Sequence, residues 1–210
     1  MWTIWKLTRS DVVLMKKAIG YIALVLVLAL LVLVLVSWLL SATTGDSVRS
    51  LLSSEGIRFF FGGFVSMLQT SQLIWLLLLA MAWGCLRGSG LFDIFSSPIG
   101  YRRRQALLLL LGILAVYVFV VMLLTMIPHA VLLSTTGRLW PSAFSRALVP
   151  LVSFGVILLS TVYGLVSRRF LSIADVFQSL SDGIVAAAPL FVLYVLFVQL
   201  FESLRFVFWA

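Results

Sequence analysis

The fold is decided by residues 19–40, which read IGYIALVLVLALLVLVLVSWLL and contain no charged side chain. At about 1.5 Å of rise per residue, a helix of this length crosses a hydrocarbon layer about 30 Å thick. A secretory signal peptide is the competing interpretation, but its apolar core is shorter, about 7–15 residues. The stretch therefore predicts a membrane-spanning helix.

Four further apolar runs extend this interpretation along the chain. They predict spans at 64–86, 106–126, 147–166 and 184–201. Pro150 would lie in the first turn of the fourth span, where its missing N–H costs little. The second run is continuous only from Leu73 to Leu86, so it crosses a bilayer only if the helix starts near Phe64. We expect an all-α polytopic membrane protein with about five transmembrane helices, in a single domain over residues 18–210.

The composition argues against several classes of protein. The 210 residues are 63% hydrophobic and 10% charged, whereas a soluble domain carries about 25% charged residues. The net charge of +8 comes from basic residues spread between the apolar runs, so no nucleic-acid partner is expected. The single cysteine, Cys85, and the single histidine, His129, predict neither a disulfide nor a metal site. No acid-base groups converge on a catalytic centre, and we expect no cofactor and no enzymatic activity.

The distribution of positive charge predicts the orientation. Ten of the 15 Lys and Arg residues flank span ends on the side of the N-terminus, and five flank the opposite ends. By the positive-inside rule, the N-terminus lies in the cytoplasm and the C-terminus outside, in a bacterial inner membrane. The residues expected to contact headgroups or to fix this orientation are Lys16, Lys17, Arg102, Arg103 and Arg104.

Two connecting segments have amphipathic composition. Residues 1–17 mix basic residues with tryptophan and aliphatic side chains, which suits a helix on the cytoplasmic membrane surface or a simple basic flank. Residues 54–64 predict a short outer helix capped by Ser53 or Ser54. Gly62 and Gly63 would permit the turn of a re-entrant or broken helix.

A polar cluster, Gln69-Thr70-Ser71-Gln72, interrupts the second predicted span. In transporters, unwound backbone and half-helix ends near the middle of the bilayer bind substrates and ions. These four residues are therefore the candidate binding site. The alternative interpretation is a solvated outer connection.

Small residues recur at four-residue spacing on two spans. Ala80, Gly84 and Gly88 share a face of the second span, and Ser160 and Gly164 share a face of the fourth. Small residues let helix backbones approach closely in lipid, so both faces predict helix packing. The faces pack either against each other or against another chain. Besides membrane lipids, the expected partners are therefore a second copy of the chain or other membrane subunits.

The end of the last span carries three polar residues of interest. Glu202 and Arg205 are three residues apart and are expected to pair on one helix face. The side-chain amide of Gln199 is expected to seek a hydrogen bond within the membrane, most simply in helix packing.

Two stretches resemble the p-aminobenzoyl-glutamate transporter family. They are residues 47–58, SVRSLLSSEGIR, and residues 82–91, AWGCLRGSGL, and residues 172–206 resemble the last spans of the family more weakly. The resemblance implies an inner-membrane protein related to dimeric secondary transporters of folate breakdown products or other small organic anions. Family members are longer and hold substrate and cation among two re-entrant hairpins that have no counterpart here. Arg87 also stands where the family has a carboxylate, so no substrate-binding residue is carried over.

Two functions follow from these observations. The absence of ionisable groups within the predicted spans and the small-residue faces favour a non-catalytic subunit or scaffold of a membrane assembly. The family resemblance and the polar cluster favour the alternative, an oligomeric secondary transporter of small organic anions.

Overall fold

The structure is a computed structural model that describes residues 9–44, 49–92, 101–126 and 143–209. These residues form α1 (Arg9–Thr44), α2 (Ser54–Ile57), a π-helical turn (Arg58–Gly62), α3 (Phe64–Leu68), α4 (Ser71–Ser89), α5 (Tyr101–Met126), α6 (Ala143–Val166) and α7 (Ile173–Phe208). His129 and residues 1–8 of the amphipathic N-terminal segment lie outside the described part, as do the side chains of Lys16, Arg102 and Arg103.

Five of these helices, α1, α4, α5, α6 and α7, are long and apolar enough to cross a membrane. Many of their large apolar side chains are exposed, among them Leu24, Leu111 and Val185. In water such a surface would drive aggregation, but in a bilayer it is the surface that lipid tails cover. The predicted fold class, an all-α polytopic membrane protein, is confirmed.

The helices differ from the predicted spans in their boundaries, and three of these differences are informative. Helix α6 begins at Ala143, so Pro150 lies inside the helix, where it removes one backbone hydrogen bond, and not in the first turn. The predicted span 64–86 is divided between α3 and α4. Helix α7 begins at Ile173 instead of residue 184. Hydropathy detects the apolar part of a helix, whereas capping decides how far the helix continues beyond it.

The start of α7 shows this capping directly. The Asp175 carboxylate oxygen Oδ2 accepts hydrogen bonds from the backbone N–H groups of Leu171, at 2.7 Å, and Ser172, at 3.0 Å. The Ser172 hydroxyl in turn accepts from the backbone N–H of Asp175 at 3.3 Å. This reciprocal arrangement is a capping box, which satisfies backbone donors that the first turn leaves free. The helix therefore starts well before its apolar stretch.

The chain divides into two compact units. Unit 1 comprises Met1–Leu73 with Ala188–Ala210, and unit 2 comprises Ile74–Ala187. Helices α4 and α7 each contribute residues to both units.

Unit 1 is held by a small apolar core. Leu33 of α1, Leu51, and Phe206 and Val207 of α7 are buried together. The ring of Phe59 stacks on Phe206 with centroids 4.3 Å apart. The Ser37 hydroxyl accepts a hydrogen bond from the backbone N–H of Leu51 at 3.2 Å. The segment before α4 is thereby tied to both long helices of the unit. Its short helix α2 is capped by Ser53, whose hydroxyl accepts from the Gly56 N–H at 3.1 Å.

In unit 2, α6 contacts both α4 and α5. The Cys85 thiol of α4 lies 3.8 Å from the carbonyl oxygen of Ile157 and 3.5 Å from the Thr161 hydroxyl. The Tyr117 hydroxyl of α5 donates to the carbonyl oxygen of Leu151 at 2.7 Å. The face of α4 that carries Ala80, Gly84 and Gly88 contacts α7.

Candidate functional site

Helices α4 and α7 cross in close backbone contact in unit 2. A Cβ atom added at Gly84 would lie 2.6 Å from the Cα atom of Gly183 and would overlap the carbonyl oxygen of Ser179. A Cβ atom at Gly183 would overlap the carbonyl oxygen of Ala80. Such distances exclude any side chain at these two glycines, so the two backbones touch.

The pairing of residues sets the direction of this crossing. Gly84 lies against Gly183, while Gly88, one turn later on α4, lies against the side chain of Ser179, one turn earlier on α7. The two helices are therefore antiparallel, and the C-terminal end of α4 lies beside the N-terminal part of α7.

A cleft of about 310 Å³ opens beside this crossing. Its walls carry one positive group, Arg87 of α4, and one negative group, Asp182 of α7. The indole of Trp83 and a set of small residues complete the lining, namely Gly84, Gly88, Ser179, Gly183 and Ala186. The charged side chains and the indole therefore border a common volume beside the crossing.

Arg87 and Asp182 do not form an ion pair with each other in the structure. The Asp182 carboxylate oxygen Oδ1 accepts a hydrogen bond from the Gln178 side-chain amide at 2.9 Å. Within the described part of the chain, the ion pair found joins Glu202 to Arg205 and involves neither Arg87 nor Asp182. Both residues are exposed and line the cleft. The arrangement can therefore offer a cation and an anion to one bound molecule.

On α6, the neighbour found at Gly164 belongs to the connection that follows the helix. A Cβ atom at Gly164 would overlap the ring of Phe170, a buried residue of the short connection to α7. That ring folds back because Arg168 adopts a left-handed backbone conformation, with φ of 57°. The Ser160 hydroxyl is buried and finds no hydrogen-bond partner among the described residues. Gly164 thus accommodates its own connecting segment.

The predicted polar cluster lies in unit 1, where the helix is interrupted. Helix α3 ends at Leu68, the next helix begins at Ser71, and the Thr70 hydroxyl hydrogen-bonds to the hydroxyl of Tyr194 on α7. The remaining members of the cluster, Gln69, Ser71 and Gln72, are exposed. The structure therefore brings one of the four residues onto α7 and leaves three facing outward.

The end of α7 contains the predicted ion pair and a buried glutamine, Gln199, whose side chain has no hydrogen-bond partner among the described residues. Arg205 and Glu202 approach to 3.9 Å, which confirms their predicted pairing. The Gln199 amide is buried, but neither its oxygen nor its nitrogen has a hydrogen-bond partner in the described residues. Of the residues predicted to face headgroups, Lys17 and Arg104 are exposed.

Sequence reasoning missed the α7 side of the cleft. Ser179 and Gly183 repeat the four-residue spacing of small residues seen on α4, and this signal was available. These two residues lie before residue 184, the predicted start of the last span, and so fall outside the predicted spans. No group of three or more metal-ligating side chains occurs in the described ranges.

Comparison of the chain with known protein families, with curated proteins and with solved structures finds no match.

Proposed function

We propose that the chain is a non-catalytic subunit or scaffold of a membrane assembly, in which a second polypeptide covers the break between α3 and α4. The observation that carries this proposal is the exposure of Gln69 and Gln72 beside that break.

The depth of the break follows from its contact with α7. Thr70 is bonded to Tyr194, which precedes Glu202 by eight residues on the same helix. At 1.5 Å per residue, Tyr194 lies about 12 Å along the helix from the first charged group at its end. With Glu202 at the membrane surface, the break lies well inside the hydrocarbon layer.

A break in a helix at this depth leaves backbone polar groups that need hydrogen-bond partners. Irregular backbone within a membrane is tolerated where protein buries it or where it lines a water-filled cavity, because lipid cannot satisfy its polar groups. The exposed amides of Gln69 and Gln72 also need hydrogen-bond partners, and a helix interface provides such partners. A neighbouring chain at the break meets both needs.

Native mass spectrometry of the full chain extracted in mild detergent tests this proposal. The wild type is expected as a stoichiometric complex with a second copy or another subunit. The double variant Gln69→Leu, Gln72→Leu is expected as a monomer, because leucine suits lipid where glutamine does not. Gln105→Leu is the matched control, since this exposed glutamine lies in the second turn of α5 and is not one of the residues of the break. A monomeric wild type contradicts the proposal.

The proposed location is a bacterial inner membrane, with the N-terminus in the cytoplasm and the C-terminus outside. The ten-to-five distribution of basic residues supports it. Unit 1 adds support, because Leu33, in the C-terminal half of α1, packs against Phe206 and Val207 near the C-terminal end of α7. Two helices that cross the bilayer in the same direction leave the first N-terminus and the last C-terminus on opposite sides.

A second candidate function rests on the same break. A secondary transporter of small organic anions, as the family resemblance implies, would use interrupted helices at membrane depth to hold its solute. Uptake of p-aminobenzoyl-glutamate into reconstituted vesicles tests it. The wild type is expected to exceed empty vesicles, and the Gln69→Leu, Gln72→Leu variant is expected to lose that uptake. Vesicles in which the wild type moves no anion exclude this function.

A further inference from the structure

We propose that the cleft beside the α4–α7 crossing binds the head of a zwitterionic amphiphile, with its phosphate at Arg87 and its ammonium group at Asp182. The observation behind this assignment is that the two opposite charges line one 310 Å³ cleft without pairing.

The charge pattern selects the class of ligand. Arg87 would attract a simple anion, but Asp182 would repel it. A simple cation would be attracted by Asp182 and repelled by Arg87. A ligand that carries both signs satisfies both side chains at once. Guanidinium groups bind phosphate through two parallel hydrogen bonds, whereas a carboxylate accepts hydrogen bonds from ammonium. A phosphate ester with an amino group, such as phosphoethanolamine, has this combination.

The size of the cleft limits what enters it. Pockets for small molecules start at about 300 Å³ and reach about 1,000 Å³. The cleft, at about 310 Å³, falls at the lower limit. It therefore accommodates a polar head and leaves any acyl chain outside.

The position of the cleft along α7 favours an amphiphile over a freely soluble zwitterion. After Asp182, residues 183–201 contain no charged side chain. This stretch extends about 28 Å, close to the thickness of the hydrocarbon layer, so Asp182 lies at its edge. Ala186, one turn deeper, lines the cleft on the apolar side. Trp83 supplies an indole, the side chain enriched at headgroup depth.

Lipid competition on the full-length protein tests the assignment. The delipidated protein receives equal amounts of phosphatidylethanolamine and phosphatidylglycerol, and native mass spectrometry counts the lipids retained. The wild type is expected to retain phosphatidylethanolamine over phosphatidylglycerol by about threefold, the effect of one solvent-exposed ion pair. Asp182→Asn is expected to abolish this preference. Arg87→Gln is expected to reduce retention of both lipids.

Matched variants separate the cleft from a general charge effect. Glu202→Gln and Arg58→Gln remove an acidic and a basic side chain that do not line the cleft, and both variants are expected to leave the preference unchanged. Asp182→Glu keeps the charge and is expected to keep the preference, which excludes a defect in folding as the cause. Equal retention of both lipids by the wild type, or an unchanged preference in Asp182→Asn, overturns the proposal.

A soluble competitor distinguishes the two sources of the head group. Phosphoethanolamine without acyl chains is added to the lipid-loaded protein. Retention of the lipid at millimolar competitor supports an amphiphile as the ligand. Displacement by micromolar competitor shows that the tail contributes nothing, and the amphiphile proposal then fails.

Discussion

Helices α4 and α5 are both long enough to cross a membrane, but they use glycine in opposite ways. Gly84 of α4 lies in backbone contact with α7, whereas nothing lies within 4 Å of a Cβ atom added at Gly112 of α5. Helix α4 is the least apolar of the five membrane-length helices and has several buried side chains. Helix α5 is much more apolar, and most of its described side chains are exposed.

The contrast has a physical cause. Lipid tails are as apolar as leucine, so burying leucine against another helix gains little in a membrane. Helix association depends on close packing and on hydrogen bonds, and close packing requires small residues that lower the hydropathy of the helix. In this protein, the membrane-length helix with the lowest mean hydropathy, α4, is therefore one that packs backbone against backbone on a neighbouring helix.

The largest expected effect comes from placing a large side chain on each helix. Gly84→Leu is expected to lower the free energy of unfolding by about 3 kcal/mol or more, because the backbone atoms of Ser179 and Gly183 have no room to move aside. Gly112→Leu, the same substitution on α5, is expected to change it by less than about 0.5 kcal/mol. Unfolding of the purified protein by SDS in mixed micelles measures both. Equal losses would remove the distinction between the helices.

A smaller effect is expected one turn further along α4. A Cβ atom at Gly88 would lie 2.9 Å from the Cβ atom of Ser179, a side-chain atom instead of backbone. Gly88→Ala is therefore expected to cost about 1–2 kcal/mol.

The combined variant Gly88→Ala, Ser179→Gly sharpens this expectation. Removing the opposing side chain is expected to recover most of the loss, since residues in contact give non-additive changes. Gly112→Ala on α5 is the control and is expected to lose no stability. If the double variant instead loses as much free energy of unfolding as the two single variants lose together, Gly88 does not act through its contact with Ser179.

Much of this contrast was predictable from local sequence. The apolar run at residues 19–40 predicts a span without any tertiary information. The spacing of Ala80, Gly84 and Gly88 predicts a close-packing face, and the structure supplies its neighbour on α7. The polar residues at 69–72 predict an interruption, and the helix breaks there.

The neighbour itself was not predictable by the same route. Ser179 and Gly183 precede the apolar stretch of α7, in a segment that is helical because Ser172 and Asp175 cap it. The cleft depends further on which residues the crossing brings together. Arg87 and Asp182 lie far apart in the chain, and neither carries a local pattern that points to the other. Such a site follows from tertiary packing and not from periodicity.

The smallest expected effect concerns α5. It measures how much one hydrogen bond to α6 contributes to the free energy of unfolding. Tyr117→Phe removes the hydrogen bond from the Tyr117 hydroxyl to the carbonyl oxygen of Leu151 and keeps the ring that occupies the space beside Gly155. Hydrogen bonds between membrane helices contribute about 0.6 kcal/mol on average, so a loss of that size is expected in the same SDS titration. Tyr21→Phe on α1 is the matched control, because that tyrosine is 70% exposed, and it is expected to change nothing. If Tyr117→Phe were to cost as much as Gly84→Leu, a single polar contact would hold α5 as firmly as backbone packing holds α4, and hydropathy would no longer separate the two helices.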